Sequence, residues 1–292
     1  MSEHRGGSAR ISPTAHFTGY VWYRNGLGDP ALRTRAGRLL VAAFSPIDRA
    51  ARLAGGPALE DVLLGRHRAI DERLELAIER GEVEQVLEVA AGLSPRGLRF
   101  IRRHGQRLFY IEGDLPAMAR RKRQALAHAD EPDGANHLVV EIDALADDAP
   151  GSLADVAARF FDPARGLAII TEGLLNYFDR ATVEAMWARF ARVLSGFRVG
   201  LYLSDLHLGE DMERTRGARA FATLLSVFAR GRVHFHYGDQ GGAGRSLLAA
   251  GFTEARFYPA ARNDSGSGAP APVRILEART APRLPDPAAT LG

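Results

Sequence analysis

From residue 85 onward, short apolar runs alternate with amphipathic segments, and this alternation constrains the fold more than any other feature of the chain. The runs QVLEVA (85–90), RLFYIEGD (107–114), HLVVEIDAL (137–145), LAIITEGLL (167–175) and RVGLYLSDL (198–206) read as buried strands. Between them, SPRGLRFIRRHG (94–105), LPAMARRKRQALAHA (115–129), SLADVAARFF (152–161) and DRATVEAMWARFARVL (179–194) read as helices. Pro116 suits a first helical turn and Asp179 suits an N-cap. A helix at DMERTRGARAFATLLSVFARG (211–231), a short helix at SLLAAGF (246–252) and strands at EARFY (254–258) and VRILEAR (273–279) complete the order. Strands that alternate with helices imply an α/β fold, with a mostly parallel sheet covered on both faces.

Such sheets bind ligands at the carboxyl ends of their strands. Those ends carry Glu88, then Glu112 and Asp114, then Asp143, Glu172 and Asp205. A single acid there caps a helix or points at water. Acids at all five strand ends of one sheet repel one another, and a ligand with hydroxyls and a positive centre relieves that repulsion. The first strand runs into Ala90-Ala91-Gly92, a turn almost without side chains. Either something approaches that backbone closely or the backbone bends as glycine permits. A nicotinamide nucleotide calls for GxGxxG at its pyrophosphate, but here the glycine spacing differs and Pro95 removes an N–H. S-adenosylmethionine, with no phosphate, a ribose, an ammonium and a sulfonium, suits the acidic rim better.

Five stretches then resemble the leucine carboxyl methyltransferase family, in particular its bacterial branch of tetracenomycin-type polyketide carboxyl O-methyltransferases. They are GRHRAID (65–71), QVLEVAAGLSPRG (85–97), YIEGDLPAMARRK (110–122), VVEID (139–143) and IITEGLLNYF (169–178). The resemblance implies a class I, Rossmann-like S-adenosylmethionine methyltransferase sheet, mostly parallel with an antiparallel last strand, and an N-terminal helical cap. It implies that Arg66 meets the methionyl carboxylate, that Ala90 and Gly92 form the turn under the cofactor, and that Asp114, with Glu112 nearby, holds the ribose. Asp143 and Ala144 fall at the adenine, Glu172 faces the ammonium, and Glu88 joins the cofactor-binding set. The chain departs from the family where many relatives carry Asp-Thr-Arg, for it has Ser94-Pro95-Arg96.

The N-terminal part reads differently. Residues 1–10 are polar and read as a disordered tail, 11–80 as an aromatic arm and helical cap, 81–280 as the methyltransferase domain, and 281–292 as a loose tail. Helices are expected over 31–55 and within Leu59–Glu79. Phe17, Tyr20, Trp22 and Tyr23 crowd the arm, with Gly19 as a candidate hinge. Tyr20, Trp22, Tyr23 and Tyr177 are the candidate substrate-binding residues: the first three either fold over the site as an apolar lid or staple the arm to the domain, and Tyr177 either lines the pocket or packs in the core. No catalytic residue stands out, Tyr177 and His207 being the candidates; if an acceptor hydroxyl needs a base, His207 or a strand-end acid would supply it.

Composition narrows the remaining classes. Hydrophobic residues make up 46% of 292, enough for a sizeable core, and the absence of cysteine removes disulfides, thiol nucleophiles and Cys-based metal sites. His234 and His236 stand two apart with no carboxylate at matching spacing, so no metal is expected. Neither Ser94 nor Ser204 has the setting of a hydrolase nucleophile. A net charge of +3 and one dense basic run, Arg120–Arg123, read as a solvated helix face rather than a nucleic-acid site. No apolar stretch suggests a leader or a membrane span. The reading is a cytoplasmic O-methyltransferase that acts on a carboxylate or acidic hydroxyl of a small, polyketide-like molecule, with the oligomeric state left open. A nucleotide-dependent oxidoreductase and a non-catalytic cofactor-binding module are the alternatives.

Overall fold

The computed structural model describes residues 13–129, 135–215, 234–260 and 272–281. Seven strands form one sheet: β1 (Gln85–Val89), β2 (Phe109–Asp114), β3 (His137–Glu141), β4 (Leu167–Thr171), β5 (Gly200–Leu206), β6 (Glu254–Pro259) and β7 (Arg274–Arg279). Their order is β3-β2-β1-β4-β5-β7-β6. β1 to β5 pair in parallel, and β7 runs antiparallel between β5 and β6. Nine helices flank the sheet among the described residues: α1 (Pro13–Arg24), α2 (Arg35–Leu53), α3 (Leu59–Glu79), α4 (Arg96–His104), α5 (Pro116–Leu126), α6 (Leu153–Phe160), α7 (Arg180–Leu194), α8 (Gly209–Arg214) and α9 (Gln240–Ala249).

Successive strand residues alternate between the two faces, and both faces are buried, so the strands read as continuous apolar runs. Leu87, Ile111, Ile169 and Tyr202 join Val183, Trp187 and Phe190 of α7 on one side. Val86, Tyr110, Ala168 and Leu203 join Ile70 and Leu74 of α3 and Phe100 of α4 on the other. Glu88 and Glu112 share the second face by the same alternation. They therefore point toward α3, α4 and α5 rather than directly up from the sheet edge.

Two elements differ from the sequence-based expectation. Residues 13–24, expected as an aromatic arm hinged at Gly19, form a regular helix. Thr, Val and aromatic residues make its local helix propensity low, but burial of Phe17, Val21 and Trp22 against α2 and α3 overrides it. Gly19 is no hinge: it lies in mid-helix, where a Cβ would come within 2.9 Å of the Leu93 Cβ. Lys122, within the basic run, is buried on the inner face of α5, and only Arg120 and Arg121 are exposed there. Of the long helix expected over 211–231, Gly209–Arg214 contains the first residues and 216–231 lie outside the described residues.

Candidate active site

The sheet changes direction between β1 and β4: from β1 the chain proceeds outward through β2 and β3, then returns to β4 on β1's other side. At the carboxyl ends of this pair lies a cleft of about 330 Å³. That is the usual location and the lower end of the usual size for a small-molecule site.

The floor of the cleft is the turn after β1. Ala90 has φ 55° and is the one non-glycine with positive φ among the described residues; Gly92 has φ 54°. An L-residue at such a φ costs about 1–2 kcal/mol, so the turn is held by other contacts. Asp114 at the end of β2 supplies one: its Oδ2 accepts from Gly92 N (2.7 Å) while Oδ1 accepts from Leu115 N (2.7 Å). Burial raises the Asp114 pKa, and these two N–H donors only partly oppose that.

One wall is a network of buried charges. Arg66 of α3 donates from Nε to Glu172 Oε1 (3.1 Å) and from Nη1 to Asp205 Oδ2 (3.0 Å). Its Nη2 has no acceptor among the described residues and lies over Gly173. Glu172 Oε2 also accepts from Arg96 Nη2 (2.7 Å) and lies 2.7 Å from His67 Nδ1. Burial would raise the Glu172 pKa, but His67, Arg96 and Arg66 together hold it far below the usual carboxylate range. Arg66, Glu88 and Glu172 line the cleft.

The roof is α1. Thr14, Ala15, Thr18 and Trp22, which fall on one helical face, line the cleft. Opposite them Leu115, Met118, Leu174 and Phe178 form an apolar wall. Tyr177 stands at the mouth, 41% exposed, and donates from its hydroxyl to Thr14 Oγ1 (3.2 Å).

The structure thus brings Arg66, Glu88, Ala90, Gly92, Asp114, Glu172, Trp22 and Tyr177 together. It sets the other expected residues apart. Glu112 is buried against α5, paired with Lys122 Nζ (2.9 Å) and 3.6 Å from His137 Nε2. Asp143 is exposed and its Oδ1 accepts from Leu145 N. Ala144 packs on the core beneath α6 and α7. Tyr20 and Tyr23 face α2 and Arg33 rather than the cleft; Arg33 stacks over the Tyr23 ring at 5.4 Å. His207 is buried with Nδ1 2.6 Å from the Pro272 carbonyl, and burial lowers its pKa. None of these six lines the cleft.

His67, Asp71 and Arg96 were invisible to the strand-end rule, because they sit on α3 and α4. The only available signal was an Arg and an acid within the GRHRAID and SPRG stretches.

The strand order and the cleft at its switch point define a class I S-adenosylmethionine-dependent methyltransferase fold. Solved structures agree. A DUF574 family protein from Streptomyces avermitilis superposes with a TM-score of 0.62 at 12% identity, covering 93% of this chain and 98% of that one. A protein from Thermobifida fusca, described by inference as a methyltransferase, gives 0.60 at 14%, covering 96% and 99%. Among sequence relatives, a Parafrankia protein is 29% identical over 260 residues, 84% of this chain and 80% of that one. One from Streptomyces avermitilis is 34% identical over 145 residues, 48% of this chain and 47% of that one. Both are described, by inference, as S-adenosyl-L-methionine-dependent methyltransferases. The leucine carboxyl methyltransferase family model matches residues 31–191, more than half of the chain. The chain belongs to the leucine carboxyl methyltransferase family, and its cofactor is S-adenosylmethionine.

Proposed function

We propose that the protein methylates an oxygen of a small apolar molecule, a carboxylate or an acidic hydroxyl on a polyketide-like skeleton. The observation that carries the cofactor half of this reading is the pairing of Arg66 and Glu172. One presents an uncommitted guanidinium N–H beside the cleft, and the other a carboxylate kept ionised by three cationic or polar neighbours. Together they match the carboxylate and ammonium of an amino acid. Asp114 would take the ribose hydroxyls, and the bare Ala90–Gly92 turn leaves space for close approach. When bound, S-adenosylmethionine supplies an electrophilic methyl group on a sulfonium.

The acceptor half rests on what lines the remaining cleft. Met118, Leu174, Phe178 and the Tyr177 ring offer flat apolar contact. No histidine lines the cleft among the described residues, and its acids are already engaged: Asp114 by two N–H groups, Glu88 by Arg96 and Tyr110, Glu172 by three donors. An acceptor that arrives ionised needs no base, and a carboxylate is ionised at neutral pH. The residues then act by alignment and exclusion of water, and alignment alone lowers a barrier by roughly 7–11 kcal/mol. α1 provides the exclusion by roofing the cleft.

The test is incubation with methyl-labelled S-adenosylmethionine and a panel of aromatic carboxylic acids, phenols and amines, with products identified by mass spectrometry. Methyl esters or acidic-phenol ethers are expected. Transfer only to nitrogen or carbon would overturn the reading.

A further inference from the structure

Arg96 lies behind the cleft wall and is fully buried. Its guanidinium donates from Nε to Asp71 Oδ1 (2.6 Å), from Nη1 to Glu88 Oε1 (2.5 Å) and from Nη2 to Glu172 Oε2 (2.7 Å). The three carboxylates come from α3, β1 and the segment after β4. Two of them, Glu88 and Glu172, line the cleft.

We propose that Arg96 is a positioning residue for the cofactor: it bridges Glu88 and Glu172 and offsets the repulsion between them, so that Glu172 remains a carboxylate for an ammonium group. This rests on the reading of Glu172 given above. Two buried carboxylates in one place do not both stay ionised without a cation between them; one takes a proton. The other cations beside Glu172, Arg66 and His67, do not bridge it to Glu88 as Arg96 does. Tyr110 of β2 donates to Glu88 Oε2 (2.8 Å) but carries no positive charge. Arg66 is divided between Glu172 and Asp205. Arg99 of α4 is held by Asp71, and His67 sits between Glu172 and Asp71. Only a planar fork with donors on three sides reaches all three acids at once, which a lysine does not do.

The experiment is calorimetric titration with S-adenosylhomocysteine between about pH 5.5 and 7.5, below the range in which an α-amino group loses its proton. The proteins are wild type, Arg96→Met, Arg96→Lys and the double variant Arg96→Met/Glu88→Gln, with melting temperature recorded for each. Wild-type affinity is expected to be flat with pH. Arg96→Met is expected to bind roughly ten- to a hundredfold more weakly, the loss of a hydrogen bond between charged groups. Its affinity should rise with pH as the shared proton leaves. Glu88→Gln should then restore a flat profile and part of the affinity, because Glu172 no longer has a rival charge.

A merely structural clip would lower the melting temperature of all three variants but leave the affinity of the folded protein unchanged, and that result overturns the proposal. So does a pH-independent loss that Glu88→Gln does not relieve. If Arg96→Met fails to fold, Arg96→Lys decides: wild-type affinity in that variant overturns the proposal, and weakened affinity upholds it. Failure of the wild type to bind S-adenosylhomocysteine would instead overturn the assignment of the cleft itself.

Discussion

The guanidinium of Arg66 occupies the space that a side chain at residue 173 would need. A Cβ on Gly173 would come within 2.6 Å of Arg66 Nη2, and Gly173 has φ 67°. Its N–H meanwhile donates to Asp205 Oδ1 (2.6 Å), so the same acid holds both the arginine and the loop. The glycine in TEGLL is thus the seat of the arginine in GRHRAID, more than a hundred residues earlier.

Gly173→Ala should therefore weaken S-adenosylmethionine binding while the protein stays folded. The added methyl displaces Arg66 and incurs the positive-φ strain of about 1–2 kcal/mol. Calorimetric affinity unchanged from wild type would show that Arg66 tolerates displacement.

Asp114→Ala should weaken cofactor binding by about 2–3 kcal/mol, by loss of hydrogen bonds made by a charged group. Asp114 is partly buried at the end of β2, outside the apolar clusters, and its loss opens no core cavity. It does release the Gly92 N–H, so the turn should become more mobile as well. Equal affinity with a normal melting temperature would remove Asp114 from the site.

Gly19→Leu should push α1 away from the glycine turn, because even a Cβ at residue 19 meets Leu93 at 2.9 Å. Methyl transfer is expected to fall more than cofactor affinity, since α1 roofs the cleft while Arg66 and Glu172 lie in its wall. Deleting residues 1–25 would not isolate the roof. It removes Phe17, Val21 and Trp22 from the core, so stability should collapse along with activity.

Stability should fall as pH drops below about 4.5, the ordinary glutamate range. Glu60, Asp71, Glu112 and Glu172 all have pKa values held below their ordinary ones despite burial, by arginine, lysine or histidine partners. Folded-state values below the unfolded ones contribute stability above the unfolded pKa, and it is lost as pH falls through the folded ones. Asp48 and Asp114 have raised values through burial and act in the opposite sense. Four against two predicts a net loss, readable as melting temperature against pH. A melting temperature that rose down to about pH 3 would mean that burial outweighs pairing.

Much of the fold was legible because both sheet faces are covered. Continuous apolar runs such as LAIIT and LYL need two buried faces, and their spacing by amphipathic helices leaves a parallel sheet as the economical solution. The antiparallel last strand, β7 between β5 and β6, was legible only through the family resemblance. α1 was less legible because HFTGYVWY favours strands locally, and only packing against α2 and α3 makes it a helix.

The site divides along the same line. Sequence alone determined which strand ends carry acids, that the turn after β1 lacks side chains, and that Arg66 precedes it. These are local facts, set by residue type and by the period of the elements. Tertiary structure decided which acids face the cleft. Glu88 and Glu112 stand side by side in register on β1 and β2, yet one turns to Arg96 at the cleft and the other to Lys122 away from it. That choice depends on where α4 and α5 cross the sheet and on which buried cation each brings. No run of neighbouring residues encodes it, because a buried carboxylate goes to whichever partner offsets its desolvation.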